Sequence, residues 1–218
     1  MVAVIDCVFF GRTSGFLVIR DPHKHINVYW RQITTETIYE YQYARDTLEA
    51  QGFSLQAIVS DGKPGVRGVF HCLPIQMCHF HQKAIITKHL TRRPKLQAGI
   101  ELKELMKHLC NSEEQMFAQA LLQWNLKWQD FLKERTVDPE TGHWHYTHKR
   151  LRSAYRSIKN NLPYLFTYKR YPELNIHNTT NSLDGSFAYL KELIRIHRGL
   201  KLDLKYKIAR TILQKQTH

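Results

Sequence analysis

The chain has 218 residues, enough for one large hydrophobic core or for one core with an inserted subdomain. Its 32 Lys and Arg against 19 Asp and Glu give a formal net charge of +13, which favours a polyanionic partner, with nucleic acid as the natural candidate. Its apolar runs fall far short of the roughly twenty residues that cross a bilayer, and the N-terminus lacks a signal-peptide pattern, which argues against a membrane-spanning or secreted protein.

Two other interpretations of the positive charge stay open, a merely basic soluble protein and a membrane-surface binder, although no amphipathic basic helix stands out to favour the membrane. We expect the protein in the cytoplasm of a bacterium or the nucleus of a eukaryote. Four cysteines in a chain of this length do not form a disulfide framework, so we expect all four to be reduced: Cys7, Cys72, Cys78 and Cys110.

Apolar runs separated by turn residues predict three strands, a helix and a fourth strand in the first part of the chain. Gly, Pro and Asp between the first three strands predict hairpin turns. The helix has Thr34 or Thr35 as its expected N-cap and Gly52 at its C-terminal stop. The predicted strands are residues 2–10, 16–20, 25–30 and 55–60, and the predicted helix is 35–51.

The rest of the chain is predicted to be mostly helical. Met116, Ala120, Trp124 and Trp128 recur four residues apart, as core-facing side chains of a helix do, which favours packing over a binding platform. Pro163 is expected to break a basic helix. The predicted elements are helices at 66–70, 81–90, within 99–135, from about 150, at 182–197 and at 202–215, a strand at 75–78, and loops at 136–146 and 168–181.

Two aspartates at the ends of strand-like apolar runs are the strongest indication of function. Asp6 lies in Val-Ala-Val-Ile-Asp-Cys-Val-Phe-Phe, and Asp61 closes Ala-Ile-Val-Ser-Asp-Gly. A carboxylate in or just after a buried strand is costly to keep ionised unless it is paired, hydrated or bound to a cation, so two of them predict a metal site. In the alternative interpretation, Asp61 only caps the following turn and Asp6 lies on a hydrated edge.

Further motifs occur in the order that a known family has. Ser-Asp-Gly surrounds Asp61, a Cys-x-x-His motif runs from Cys78 to His81, and Thr-Thr-Asn-x-x-Asp ends at Asp184 where a helix begins. With Asp6 in the first strand, the chain resembles DDE transposases of the Mutator-like and bacterial insertion-sequence group over nearly its whole length.

The resemblance implies an α/β, ribonuclease H-like fold, with a mixed five-stranded sheet flanked by helices and an all-helical insertion before the third acidic residue. In that fold the first strand and the end of the fourth lie side by side. The expected domains are 1–98 and 168–218 as two parts of the catalytic core and 99–167 as the insertion, in which Trp124 or Trp128 resembles the family's characteristic tryptophan.

The resemblance also implies metal-dependent DNA cleavage and strand transfer at transposon ends, with Asp6, Asp61 and Asp184 as catalytic and metal-binding residues. Mg²⁺ prefers oxygen ligands. Three carboxylates can hold two Mg²⁺ or Mn²⁺ ions, one activating the attacking hydroxyl and one stabilising the leaving 3′-oxygen. Three more residues are expected to support the site: Cys78, His81 and Asn181.

The third acid departs from the family pattern, because the family most often has Glu where this chain has Asp184. Asp is shorter by one methylene and would draw the metal closer to the helix. The alternatives for the third ligand are Glu173 in the preceding loop and Glu192 two turns further along the helix. In another interpretation, Asp184 is only a helix-start charge favoured by the helix dipole.

Basic residues are expected to track the phosphates of double-stranded DNA without reading its sequence. They are Lys63, Arg67, Lys83, Arg150, Arg152, Arg156 and Lys191. The family carries a DNA-recognition region ahead of the first catalytic strand, whereas Met1 lies only five residues before Asp6. We therefore expect a longer or split protein, a decayed copy, or recognition by another subunit. A homodimer follows from the resemblance alone.

Two competing functions remain open from the sequence. A degenerate or domesticated transposase domain would keep the fold and bind DNA without catalysis. A zinc-stabilised nucleic-acid-binding protein would draw its ligands from one stretch of the chain, although their spacing matches no common zinc module. Those candidate ligands are Cys72, Cys78, His79 and His81.

Overall fold

The structure is a computed structural model that describes residues 1–11, 15–196 and 199–217. Contacts within the chain separate it into two units, one of Met1–Cys78 with Thr167–His218 and the other of His79–Phe166. The second unit begins earlier than the insertion expected at residue 99, because the helix that starts at His79 packs against helices that follow it in the chain.

The first unit contains a mixed sheet of five strands. They are β1 (Val2–Phe9), β2 (Gly15–Asp21), β3 (Ile26–Ile33), β4 (Ala57–Ser60) and β5 (Ile75–Met77). Their order is β3-β2-β1-β4-β5, in which the first three strands form an antiparallel meander, β4 runs parallel to β1, and β5 runs parallel to β4. The predicted α/β fold with a mixed five-stranded sheet flanked by helices is confirmed, and β1 lies at its centre.

Helices make up most of the remaining described residues. In chain order they are α1 (Ile38–Ala50), α2 (Pro64–Val69), α3 (His79–Leu90), α4 (Gln97–Lys107), α5 (Glu114–Lys133), α6 (Lys149–Leu165), α7 (Thr167–Arg170), α8 (Asn181–Ile196) and α9 (Leu202–Lys215). The last residue of the predicted helix 182–197, His197, lies outside the described residues. Among the helices described, none combines the length and the apolar character needed to cross a membrane.

The two faces of the sheet are buried under different helices. Alternate residues of a strand point to opposite faces, and Val4 of β1 belongs to a hydrophobic cluster with Leu183 and Phe187 of α8 and with residues of α9. On the other face, Cys7 Sγ lies 3.5 Å from the hydroxyl oxygen of Tyr41, a buried residue of α1. Because residue 6 shares its face with residue 4, the side chain of Asp6 lies on the α8 side.

Helix α1 ends as predicted but begins later. Gly52 follows it with φ of +83°, a left-handed conformation that glycine adopts at little cost and that stops the helix. The predicted N-cap at Thr34 or Thr35 is wrong, because the helix begins at Ile38. The preceding chain is held instead by a tertiary contact, in which Lys63 Nζ lies 2.6 Å from the carbonyl oxygen of Glu36 and 3.1 Å from its carboxylate.

The second unit is helical with one hairpin that the sequence did not predict. Strands β6 (Arg135–Val137) and β7 (Trp144–Tyr146) pair antiparallel within the predicted loop 136–146. The carboxylate of Asp138 accepts backbone N–H bonds from Glu140 and Thr141 and closes the turn. These strands have three residues each and are largely exposed, so they lack the apolar alternation by which a strand is predicted.

The four-residue stripe predicted for α5 is wrong as a description of its buried face. Met116 is 67% exposed and Ala120 is exposed, whereas Trp124 is only 5% exposed. A helix has 3.6 residues per turn, so residues spaced by four drift away from a fixed face. The buried residues of α5 are Phe117, Leu121, Trp124 and Leu132.

Pro163 lies inside α6 and does not break it, contrary to prediction. Only two helical residues follow the proline, so the helix loses few backbone hydrogen bonds. The second of these residues, Leu165, is fully buried. Burial of that side chain offsets the local cost. The predicted loop 168–181 likewise contains the end of α7 and a short 3₁₀ turn at Pro172–Leu174.

The packing of α8 on the sheet can be tested by one substitution and a matched control. Phe187→Ala should lower the free energy of unfolding by about 3–5 kcal/mol, because the ring is only 3% exposed and its removal leaves a cavity. Tyr189→Ala, on the same helix at 58% exposure, should change it by less than about 0.5 kcal/mol. Equal losses in urea denaturation would contradict the assignment of the buried face.

Candidate metal centre

The centre is built around two carboxylates that the fold brings together from distant parts of the chain. Asp6 lies in β1 and Asp184 in the first turn of α8, and both side chains are half-buried. A carboxylate oxygen of one lies within 4.8 Å of a carboxylate oxygen of the other. Two ionised carboxylates this close repel each other, and a bound cation relieves that repulsion. Oxygen donors of this kind suit Mg²⁺ and Mn²⁺.

Helix α8 carries Asp184 to this position because its apolar face packs on the sheet. Leu183 and Phe187 lie four residues apart and enter the hydrophobic cluster beside Val4 of β1. Asp184 follows Leu183 directly, and Asp6 lies two residues beyond Val4 on the same face of β1. Burial of the leucine and phenylalanine therefore determines where the aspartate of α8 lies.

Asp61 occupies the end of the neighbouring strand. The parallel register of β1 and β4 pairs Val4 with Val59, and Asp61 directly follows Ser60, the last residue of β4. Asp61 Oδ1 accepts the backbone N–H of Lys63 at 3.1 Å, as a turn-capping aspartate does. Among the described residues, Asp61 belongs to no group of three His, Cys, Asp or Glu side chains whose ligand atoms all lie within 4.8 Å of one another.

Gly62, which follows Asp61, is required by the local backbone. Its φ of +90° disfavours residues with a side chain, and a Cβ at this position would collide with the side chain of Met77 on β5. The Ser-Asp-Gly motif therefore has a structural reason in this chain. The tight turn keeps Asp61 at the end of the sheet, on the strand next to Asp6.

Thr180 is a site residue that the sequence analysis did not select. It is fully buried immediately before α8, and its hydroxyl donates a hydrogen bond to Asp184 Oδ2 at 2.9 Å. Cys78, at the end of β5, lies with its Sγ 3.4 Å from both the backbone nitrogen and the Oγ1 of Thr180. The contact with β5 thus positions the threonine, and the threonine orients the carboxylate. Helix N-cap preference for Thr is the signal that could have identified it.

Beside the carboxylates, Cys7 and Tyr41 are held in their neutral forms. Burial raises the pKa of the Cys7 thiol well above its ordinary value, and the negative charges of Glu36, Asp6 and Asp61 add to this. Burial also raises the pKa of Tyr41, whose hydroxyl donates to Glu36 Oε1 at 2.5 Å. The negative charge of this region therefore comes from carboxylates alone.

The alternative third ligands lie in other surroundings. Glu192 is exposed on α8, where Arg195 Nη2 lies 2.6 Å from its carboxylate; the hydrogen bonds from Arg195 lower the pKa of Glu192. Glu173 is exposed in the 3₁₀ turn. Of the residues expected to support the site, Asn181 is exposed at the start of α8, and His81 lies in the first turn of α3. Asp184 is thus the candidate that the fold places near Asp6.

The predicted DNA-binding cations fall into both units, and several are engaged by the protein itself. Lys63 is bound to Glu36, and Lys83 Nζ lies 3.4 Å from Cys110 Sγ. Arg150 Nη2 donates to the carbonyl oxygen of Lys88 at 2.7 Å. Arg152 of α6 likewise donates from Nη1 to the carbonyl oxygen of Leu132 at 2.6 Å. Arg67 lies in α2, and Arg156 of α6 and Lys191 of α8 are exposed.

The geometry gives no support to a structural zinc site. Within the described ranges, no group of three or more His, Cys, Asp or Glu side chains with ligand atoms within 4.8 Å of one another includes a cysteine. Cys72 is exposed, and Cys78 is buried against Thr180. His79 Nε2 lies 2.7 Å from the carbonyl oxygen of Leu165, and a carbonyl oxygen only accepts, so this nitrogen donates.

Comparison of the chain with known proteins finds no family model that matches it and no significant match among curated proteins.

Thr180 can be tested as the residue that positions Asp184. Thr180→Val keeps the shape but removes the hydroxyl, so Mn²⁺ affinity should fall by about tenfold or more, as for other residues that orient a metal ligand. Thr180→Ser keeps the donor and should retain most of the affinity. Calorimetric titration measures both, with circular dichroism as the check on folding. A valine variant that binds Mn²⁺ as tightly as the wild type would remove Thr180 from the site.

The protonation of Cys7 gives a second test. A raised pKa leaves Cys7 as the unreactive thiol at pH 8, whereas the thiolate is the species that reacts with iodoacetamide. In the folded protein, Cys72, which is exposed, should be alkylated at least about tenfold faster than Cys7. Peptide mass spectrometry follows each site, and the two rates should converge in guanidinium. Equal rates in the folded protein would contradict the burial of Cys7.

Proposed function

We propose that the first unit is the catalytic domain of a DDE-type transposase that cuts and joins DNA strands at transposon ends. The observation that carries the proposal is the approach of Asp6 and Asp184 within 4.8 Å at the centre of the sheet. The sequence motifs contain these two residues but do not show that their carboxylates lie close together. A pair of half-buried carboxylates held by separate elements is an arrangement that phosphodiester-cleaving enzymes use to bind divalent cations.

The topology supports a ribonuclease H-like fold. The meander β1-β2-β3, the following helix α1, and the placement of β4 beside β1 agree with that fold, in which the first and fourth strands are neighbours. The catalytic acids would be Asp6, within β1, and Asp61, directly after β4. The helix that returns to the first strand, α8, would contribute the third acid, Asp184.

The residues present fit a divalent cation. Asp6 and Asp184 offer hard oxygen donors, the kind of ligand that Mg²⁺ and Mn²⁺ prefer. When bound, a divalent cation supplies Lewis-acid activation of a hydroxyl nucleophile and stabilisation of the departing 3′-oxygen. The protein's part is to hold Asp6 rigidly in β1 and to orient Asp184 through Thr180. The net charge of +13 favours the approach of double-stranded DNA.

Binding of DNA without catalysis is the second candidate, and one observation favours it. Among the described residues, Asp61 belongs to no group of three His, Cys, Asp or Glu ligands within 4.8 Å of one another, and its carboxylate caps a turn. A domain that had lost its third ligand would retain the fold and the positive charge. The two candidates differ in whether divalent cations support DNA cleavage.

A plasmid-nicking assay separates the two candidates. The wild-type protein should nick supercoiled DNA in Mg²⁺ or Mn²⁺ and stop when EDTA removes the ion. Asp6→Asn and Asp184→Asn should lower the rate by about a hundredfold or more, because each removes a charged ligand without changing shape. Asp203→Asn, an exposed acid in the first turn of α9, is the matched control and should nick normally.

The outcomes assign the acids one by one. Loss of nicking in Asp61→Asn would identify Asp61 as the third acid, whereas normal nicking would make it a turn residue. A silent wild-type protein that still binds DNA would favour the non-catalytic function. Nicking that persists in both Asp6→Asn and Asp184→Asn would refute the proposed centre.

A further inference from the structure

A groove on the second unit carries cations but no acid on its walls. It has a volume of about 520 Å³ and lies between α5, β7 and α6. Its lining includes Lys133, Arg152, Arg156 and Lys159, together with three amide side chains and two tyrosines, and none of the lining residues is Asp or Glu. A concave surface with one sign of charge concentrates ligands of the opposite sign.

The cations follow one face of α6. Arg152, Arg156 and Lys159 are separated by four and three residues, which places them about 6 and 4.5 Å apart along the helix axis. Over the described residues, none of these three lies within 4.0 Å of a carboxylate oxygen, whereas Lys133 pairs with the exposed Asp130 at 3.0 Å. The three therefore form a row of cations without acidic partners along one face of α6. A linear polyanion could lie along this row.

One of the cations is held in place by the protein. Arg152 Nη1 donates to the carbonyl oxygen of Leu132 at 2.6 Å, and its guanidinium carbon lies 3.5 Å from the centre of the Tyr146 ring. These two contacts restrict the side chain before any ligand arrives, so less conformational entropy is lost on binding. A planar guanidinium fixed in this way suits phosphate oxygens.

Aromatic rings complete the groove. Tyr146 and Tyr155 both line it, and Tyr155 stacks on Trp124 with ring centres 5.4 Å apart and an interplanar angle of 29°. Trp124 is itself anchored, because its Nε1 donates to the carbonyl oxygen of Ala98 at 3.0 Å. The wall is thus rigid and aromatic. Cations beside aromatic rings are the combination by which proteins bind single-stranded nucleic acid.

We propose that this groove binds a single-stranded nucleic acid segment, with backbone phosphates along Arg152, Arg156 and Lys159 and bases against the tyrosine-lined wall. It deepens the proposed function, since strand cutting and joining generates unpaired ends, but the groove is complete within the second unit and needs none of the carboxylates. Binding by the groove and cleavage at the acidic pair can therefore be measured independently.

The experiment is fluorescence anisotropy of the full chain with an oligothymidylate of about 16 nucleotides, over a range of salt concentrations. Arg156→Gln/Lys159→Gln should weaken binding and reduce the slope of log affinity against log salt by about 1.4, since each phosphate contact to a single strand contributes about 0.7. Arg92→Gln/Lys95→Gln removes the same charge from exposed positions outside the groove and should leave the slope unchanged. Equal effects of the two double variants would overturn the proposal.

An abasic oligomer of the same length tests the aromatic wall without altering a packed ring. It should bind at least about tenfold more weakly than the oligothymidylate, because stacking is lost while the phosphates remain. Equal affinity, or tighter binding to a duplex that depends on Arg156 and Lys159, would overturn the single-strand assignment.

Nucleic-acid binding by the groove can be tested separately from DNA cleavage at the acidic pair. Asp6→Asn and Asp184→Asn should bind the oligothymidylate as the wild type does. Normal nicking by a protein without groove binding would refute the groove alone, and intact groove binding by a protein without nicking would refute the catalytic proposal alone.

Discussion

The packing of α8 against β1 is the interaction on which the first unit depends. Leu183 and Phe187 bury their side chains beside Val4, and this contact joins a helix from the last part of the chain to the first strand. The hydrophobic effect that drives it is not directional, but close packing allows few rotations of the helix. The carboxylate of Asp184 is carried to Asp6 as a consequence, so the core and the candidate centre have the same physical origin.

Polar contacts around the candidate centre orient the Asp184 carboxylate, which the packing of the core has brought near Asp6. Cys78, directly after β5, contacts Thr180, and Thr180 donates a hydrogen bond to Asp184. These contacts determine the orientation of the Asp184 carboxylate. Cys7 stays neutral because it is buried beside acids. In a chain of net charge +13, the fold thus brings the carboxylates of Asp6 and Asp184 within 4.8 Å of each other.

Much of the secondary structure could be predicted from local pattern, and the failures have a common cause. Buried strands such as β1 and β4 are short, mostly apolar runs followed by turn residues, a pattern by which strands are predicted. The hairpin of β6 and β7 is exposed, so no hydrophobic pattern marks it. Pro163 was expected to end α6, yet burial of Leu165 keeps the last turn helical. In both wrong predictions, the local sequence pattern did not reflect how far the segment is buried in the folded protein.

For the candidate centre, the sequence by itself was enough to place Asp6 in a strand, Asp61 after a strand and Asp184 at a helix start, because strand, turn and helix signals are local. Only the tertiary structure determined which of these carboxylates lie close to each other. It brought Asp184, rather than Glu173 or Glu192, to Asp6, and it left Asp61 at the neighbouring strand end. The physical reason is that distances between remote residues are set by the packing of whole elements, which no local pattern encodes.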